Sequence, residues 1–307
     1  MENSNASSTQ KSRNGLIDLY RFLLSLVVVK SHSLFVIGSP YFGPGRVCVE
    51  FFFVLSGYLF MSFLQKSKDR PIKESLSKLY KSRISPLLIP VIIGVLSNII
   101  NDIISKDFNP WGYLWYVEVM IVEMIGLIYL RKRINDDRKF TRSLVIIMLV
   151  SLVLKFSGLL YSFGYIRGAS SIPMGLLIAM LPKWKPRHKW LILLPLIPVF
   201  AACFSIVCFN FGNVEWLGLR IPELILDNIL YPALIYLSFC FEFNSKFFSY
   251  LGALSFGLYA FQCPADLLRT LGVENIWVLF GFILLATLLE DGIKRLTKHF
   301  RNKRNAI

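Results

Sequence analysis

Charge is scarce in this chain. Only 17% of its 307 residues are Asp, Glu, Lys or Arg, against roughly 25% in an ordinary soluble domain, and acidic residues are the rarer kind, 19 against 34 basic ones. With 55% hydrophobic residues and a mean hydropathy of +0.56, a soluble globular fold is excluded. Histidine is rarer still, at three. His188 and His299 stand alone in basic segments. The five cysteines, Cys48, Cys203, Cys208, Cys240 and Cys263, are odd in number, lie inside apolar stretches and show no metal-ligand spacing. They read as apolar filler and form neither a disulfide framework nor a metal site. No glycine-rich phosphate loop occurs, so metal-dependent and nucleotide-hydrolysing chemistry has no support. A sustained polar domain, a low-complexity linker and an internal repeat are also missing.

Apolar sequence fills the space instead. Ten stretches, most of 18 or more residues, lie at about 16–37, 46–64, 84–104, 112–130, 143–161, 169–182, 189–209, 223–240, 248–267 and 275–293. They predict an all-α, polytopic membrane protein with about ten transmembrane helices. The sixth is short and contains Pro173, which predicts a tilted, broken or re-entrant segment. An even count puts both termini on one side. Of the 34 basic residues, 26 fall on that side, three (Arg21, Lys30, Lys155) lie within spans, and only Arg46, Lys106, Arg167, Arg220 and Arg269 fall on the other. The positive-inside rule then makes both termini cytoplasmic. The chain divides into a cytoplasmic tail at 1–15, a membrane domain at 16–293 and a basic cytoplasmic tail at 294–307. The net charge of +15 is therefore a topology signal. Basic residues spread over several loops and both tails form no nucleic-acid footprint. The first 15 residues are polar and no small-residue cleavage site follows the first apolar run, which predicts an uncleaved first helix.

Charge at bilayer depth is costly, so each ionisable residue within a span is a functional candidate. The first span supplies Asp18, Arg21 and His32. Eleven residues at 100° each carry the chain 20° past three turns, so Arg21 and His32 share a face about 16 Å apart, with Ser25 on the same stripe. Lys30 is about 180° from Arg21 and has no catalytic role. The second span runs back after a turn containing Gly38, Pro40, Gly43, Pro44 and Gly45. Glu50 follows Gly45 by five residues and His32 precedes Gly38 by six, which predicts imidazole and carboxylate at one depth. A neutral imidazole oriented by a carboxylate can take a proton from a hydroxyl, as acyl transfer needs. A His–Glu pair that merely locks the hairpin is an equal alternative at this point.

Other polar groups are predicted in the same outer third: Glu118, Lys155, Asp227 with Asn228, and Gln262. Together they suggest a hydrated cavity open to the outside. Glu123 lies about 140° round the helix from Glu118 and does not share its face. On the opposite side, the 65–83 loop ends in Lys78, Lys81 and Arg83 at the membrane edge. There a phosphate-bearing cytosolic ligand would meet them beside Arg21.

With these residues placed, the chain resembles the acyltransferase 3 family of membrane proteins, which includes O-acetyltransferases of bacterial surface polysaccharides. The strongest match is Val49-Glu50-Phe51-Phe52-Phe53-Val54-Leu55-Ser56-Gly57-Tyr58-Leu59, similar to the family's second-helix signature. Arg21 and His32 stand at its Arg, ten residues, His spacing. Arg83-Ile84-Ser85-Pro86 resembles the end of its third-helix basic motif. Leu114-Trp115-Tyr116-Val117-Glu118 and Leu251-Gly252-Ala253-Leu254-Ser255-Phe256-Gly257-Leu258-Tyr259 are weaker matches in the correct order. Tyr80 departs from the basic motif's first Arg, and Gln262 occupies a position often filled by His.

The resemblance implies a multi-pass protein of the bacterial cytoplasmic membrane that takes an acyl group, usually from acetyl-CoA in the cytoplasm, and delivers it to a sugar hydroxyl of a surface polysaccharide or lipid-linked glycan. It makes His32 catalytic, Glu50 its partner, and Arg21, Lys81 and Arg83 the donor-binding groups. Glu118, Asp227 and Gln262 become candidates for binding the acceptor. No metal is expected. No esterase-like domain of the kind fused to some members is expected, so the transfer is expected to be completed by this chain alone or with a separate partner such as polysaccharide biosynthesis machinery. From another class, a transporter or flippase for a lipid-linked or small anionic substrate also uses intramembrane charge and broken helices. Nothing in the spans gives it the matching pair of interrupted helices. A non-catalytic scaffold would leave the polar groups without purpose.

Overall fold

The computed structural model describes residues 14–34, 45–106, 112–157, 164–208, 221–241 and 243–304, and every regular element among them is helical. In chain order these are α1 Gly15–Leu34, α2 Gly45–Ser67, α3 Ile72–Leu79, α4 Leu88–Ser105, α5 Trp115–Arg133, α6 Asp137–Phe156, α7 Gly164–Met180, α8 Trp190–Cys208, α9 Ile221–Ile225, α10 Tyr231–Cys240, α11 Lys246–Ala260, α12 Gln262–Thr270 and α13 Ile276–Arg304. The predicted all-α class is correct. Among the described residues, five segments have the length and apolarity to cross a bilayer: Val47–Ser67, Ile72–Ser105, Trp190–Val207, Ile221–Cys240 and Ile276–Thr297. The remaining long helices carry more charge. α1, for instance, contains Asp18, Arg21 and Lys30 within 20 residues.

Three stretches differ from the sequence reading. The loop expected at 65–83 is helical from Ile72, and α3 continues through a π turn at Tyr80–Ile84 and a 3-10 turn at Ser85–Leu87 into α4. The cause is Pro86: with no N–H and a ring that crowds the carbonyl four residues back, it cannot sit in a regular α-helix, and the backbone rewinds locally around it. A second π turn, Leu226–Leu230, precedes Pro232 and links α9 to α10 for the same reason. The ninth apolar stretch breaks at Phe261 into α11 and α12. The tenth continues as helix into the basic terminal segment, as far as Arg304.

α2 is the centre of the bundle. Two-thirds of its apolar window (67%) is buried, whereas α8 (22%) and α13 (17%) turn most of theirs outward and expose Leu194, Ile197, Leu285 and Leu289. Exposed aliphatic side chains of that number suit a lipid solvent. α2 and α7 pack backbone to backbone. A Cβ on Gly57 would collide with the Ile172 carbonyl, and one on Gly175 with the Val54 carbonyl. Small residues on both helices at one crossing permit this approach, the usual device of helix pairs in lipid. α7 also lays Gly164 against Trp115 and Gly168 against Val119 of α5. The shortness that marked this segment in the sequence goes with deep burial, since Arg167, Ser170, Ser171 and Pro173 are all inside.

Candidate active site

Two cavities adjoin α2, and two guanidinium groups stand between them. On α1, Asp18 and Arg21 are one turn apart, and Arg21 Nη1 donates to the buried Asp18 carboxylate at 3.3 Å. Asp18 fits because α11 presents Gly252 to it, where any Cβ would run into the carboxyl group. Arg83 arrives on the π turn ahead of Pro86 and donates from Nη2 to the Leu59 carbonyl of α2 at 3.0 Å. It makes no ion pair among the described residues. Arg21, Leu59 and Arg83 line both cavities.

The inner cavity has a volume of about 450 Å³, within the range of pockets that enclose small ligands. Its apolar wall includes Phe52, Leu55, Met120, Met124 and Phe256, and its hydroxyl groups are Ser25, Ser56, Ser82, Tyr116, Ser255 and Tyr259. Ser56 and Tyr116 share a hydrogen bond of 3.0 Å. The outer vestibule, about 480 Å³, is more polar, with Asn14, Asp18, Ser62, Gln65 and Lys183 on its walls. A ligand with an apolar arm, an anionic middle and a polar end matches this sequence of surfaces.

Beside the inner cavity lies a buried ionic cluster. Glu50 Oε1 accepts from Lys155 Nζ at 3.1 Å and from Arg167 Nε at 2.7 Å, and its Oε2 accepts from the Ser171 hydroxyl. Lys155 Nζ also donates to Asp227 Oδ2 at 2.8 Å. Glu223, buried as well, acts electrostatically on Lys155, Arg167 and Asp227. Three carboxyl groups thus face two cations, and Asp227 Oδ1 has no hydrogen-bond partner among the described residues. Five elements supply the cluster: α2, α6, α7, α9 and the π turn before α10. The close α2–α7 crossing makes it possible, because Arg167 and Ser171, four residues apart on one helical face, are pressed against Glu50.

The predicted residues fall as follows. Arg21 and Arg83 come together, and Ser25 joins Arg21 on one cavity wall as the stripe on α1 requires. Lys81 is exposed and lines neither cavity. His32 belongs to the backbone of α1, but its side chain lies outside the described residues, as does the turn at 35–44. The pairing of His32 with Glu50 is therefore outside the description too. Their backbone register is visible. Gly45 meets Ser31 and the Val28 backbone, and at 1.5 Å per residue this sets the Glu50 backbone roughly 9 Å deeper than that of His32. The equal depth expected from counting outward from the turn is corrected accordingly, because the interhelical contact sets the register.

Among the described residues, the outer polar groups go to separate partners. Asp227 and Lys155 join Glu50, Glu118 accepts from Tyr165 OH at 2.6 Å, and Gln262 Nε2 turns back to the Leu258 carbonyl at 3.5 Å. None of Glu118, Asp227 and Gln262 lines either cavity. Buried charges in low dielectric gain most by meeting one another. Arg167, Ser171, Glu223, Tyr116 and Lys183 were not singled out from the sequence. By charge distribution alone Arg167 reads as one of the few basic residues on the outer side. Its i, i+4 relation to Ser171, on a segment too short and glycine-rich to mask a guanidinium alone, was the available signal.

A family model described as an acyltransferase domain matches residues 14–290, nearly the whole chain and all the elements that build the two cavities. No curated protein and no solved structure matches it.

Proposed function

The chain belongs to the acyltransferase 3 family, as a multi-pass membrane acyltransferase, and from that premise we propose that it transfers an acetyl group from cytoplasmic acetyl-CoA to a sugar hydroxyl of a surface polysaccharide or lipid-linked glycan. The observation that carries this reading is the pair of cavities joined at Arg21 and Arg83. Guanidinium groups bind phosphate oxygens in bidentate fashion, so the CoA pyrophosphate sits at the junction and the pantetheine arm enters the apolar chamber. Ten spans with both termini cytoplasmic, in a bacterial inner membrane, complete the proposal and are supported by the distribution of basic residues.

In the reaction, the His32 imidazole takes the proton of the acceptor hydroxyl as that oxygen attacks the thioester carbonyl. The carbon–sulfur bond breaks, and the CoA thiolate recovers the proton, leaving an ester and free CoA. Glu50 serves by fixing the negative side of the ionic cluster below His32, where it favours the transient imidazolium. The contact with Ser171 leaves lone-pair capacity on Oε2 for one further donor. Glu118, Asp227 and Gln262 line neither of the two donor-side cavities and remain the groups proposed for the acceptor.

The test is release of CoA from acetyl-CoA by purified protein in detergent with candidate glycans, together with mass analysis of surface glycans from a deletion strain. His32→Ala is expected to remain inserted and folded while acetylation disappears. Full activity in that variant removes His32 from the mechanism.

A further inference from the structure

The vestibule outside the two arginines has a use of its own. Arg21 and Arg83 border both cavities, whereas Lys183 borders only the vestibule. Lys183 lies in the connection between α7 and α8, is exposed, and makes no ion pair among the described residues. The vestibule wall also carries Tyr58, stacked on Phe239 with ring centroids 4.2 Å apart. Asn14 is held rigidly, its Nδ2 donating to the carbonyls of Ser238 and Phe241 at 2.6 and 3.0 Å.

We propose that this vestibule binds the nucleotide end of CoA and that Lys183 recognises its ribose 3′-phosphate. The inference rests on the donor reading above. CoA has its pyrophosphate between the pantetheine arm and the ribose. If the pyrophosphate occupies the junction and the arm the inner chamber, the ribose, its 3′-phosphate and the adenine must lie in the vestibule. Lys183 is the ammonium group there. A flexible ammonium pairs with a phosphate monoester as a point charge, while the Tyr58–Phe239 wall gives the base an aromatic surface to pack on. Lys81, exposed on the π turn, lines neither cavity.

Dephospho-CoA, which lacks only the 3′-phosphate, isolates the contact. Purified protein in detergent is titrated with CoA and with dephospho-CoA, as wild type and as Lys183→Ala, Lys183→Arg and Arg83→Ala. The wild type is expected to prefer CoA by about tenfold, the usual scale of one charge-assisted contact. Lys183→Ala should lose that preference by weakening CoA alone, Lys183→Arg should keep it, and Arg83→Ala should weaken both ligands alike. Equal weakening of both ligands by Lys183→Ala, or no change in either, overturns the assignment to Lys183 and leaves the donor reading intact. If wild-type protein binds neither ligand, the donor reading itself fails and takes this inference with it.

Discussion

Arg167 Nε lies 2.7 Å from Glu50 Oε1, and the two side chains are 4% and 0% exposed. Neither has water to fall back on. Removing one partner of a buried pair strands the other charge, at a cost of about 3–5 kcal/mol. Arg167→Ala is therefore expected to lower the thermal unfolding temperature in detergent markedly. Pairing it with Glu50→Gln should recover part of the loss. An unchanged transition in Arg167→Ala would show that the pair does not support the fold.

Gly252 and Asp18 give a subtler test. A methyl group at 252 must displace the Asp18 carboxyl, and with it the anchor of Arg21. Gly252→Ala should raise the KM for acetyl-CoA by about tenfold, the worth of one charged hydrogen bond, with kcat little altered. Steady-state kinetics in membranes separates the two. A normal KM would mean that Arg21 keeps its place without Asp18.

Arg83 and Lys81 are two residues apart and are expected to behave differently. Arg83→Ala removes the guanidinium shared by both cavities and should weaken CoA binding by about tenfold or more. Lys81→Ala, at an exposed position lining neither cavity, should leave affinity within about twofold. Isothermal titration with CoA distinguishes them, and equal losses would restore Lys81 to the donor site.

The α2–α7 crossing should not tolerate size. Gly57→Leu drives a side chain into the Ile172 carbonyl, and overpacking of this kind costs at least about 1–3 kcal/mol. Separating the helices also withdraws Arg167 and Ser171 from Glu50. Loss of both folded yield and activity is expected, whereas Gly126→Leu on α5, where nothing lies within 4 Å of the added Cβ, should express normally. Fluorescence-detected size-exclusion chromatography of tagged protein reads the difference.

Arg21, Ser25 and Glu50 were legible in the sequence because each depends on one helix. The spacing on α1 puts Arg21 and Ser25 on a common stripe, and an acid inside an apolar run has to be satisfied somewhere. Who satisfies it was not legible. Lys155, Arg167, Ser171 and Asp227 come from segments up to 177 positions from Glu50 along the chain. They meet because glycines on α2 and α7 let two backbones touch. Tyr116 was similarly hidden: its role as a cavity wall follows from the packing of α5 against α2, and a tyrosine in an apolar helix looks like core.

Hydropathy and basic-residue asymmetry, local properties that survive in a single helix, determined that this chain is helical and belongs in a membrane, and the order of its motifs indicated the family. The tertiary structure decided the register of α1 against α2, the separation of Lys81 from Arg83, and the gathering of Lys155 and Asp227 around Glu50 in one buried cluster. Those outcomes depend on close backbone contacts and on the pairing of distant charges in low dielectric, and neither is encoded in the periodicity of any one segment.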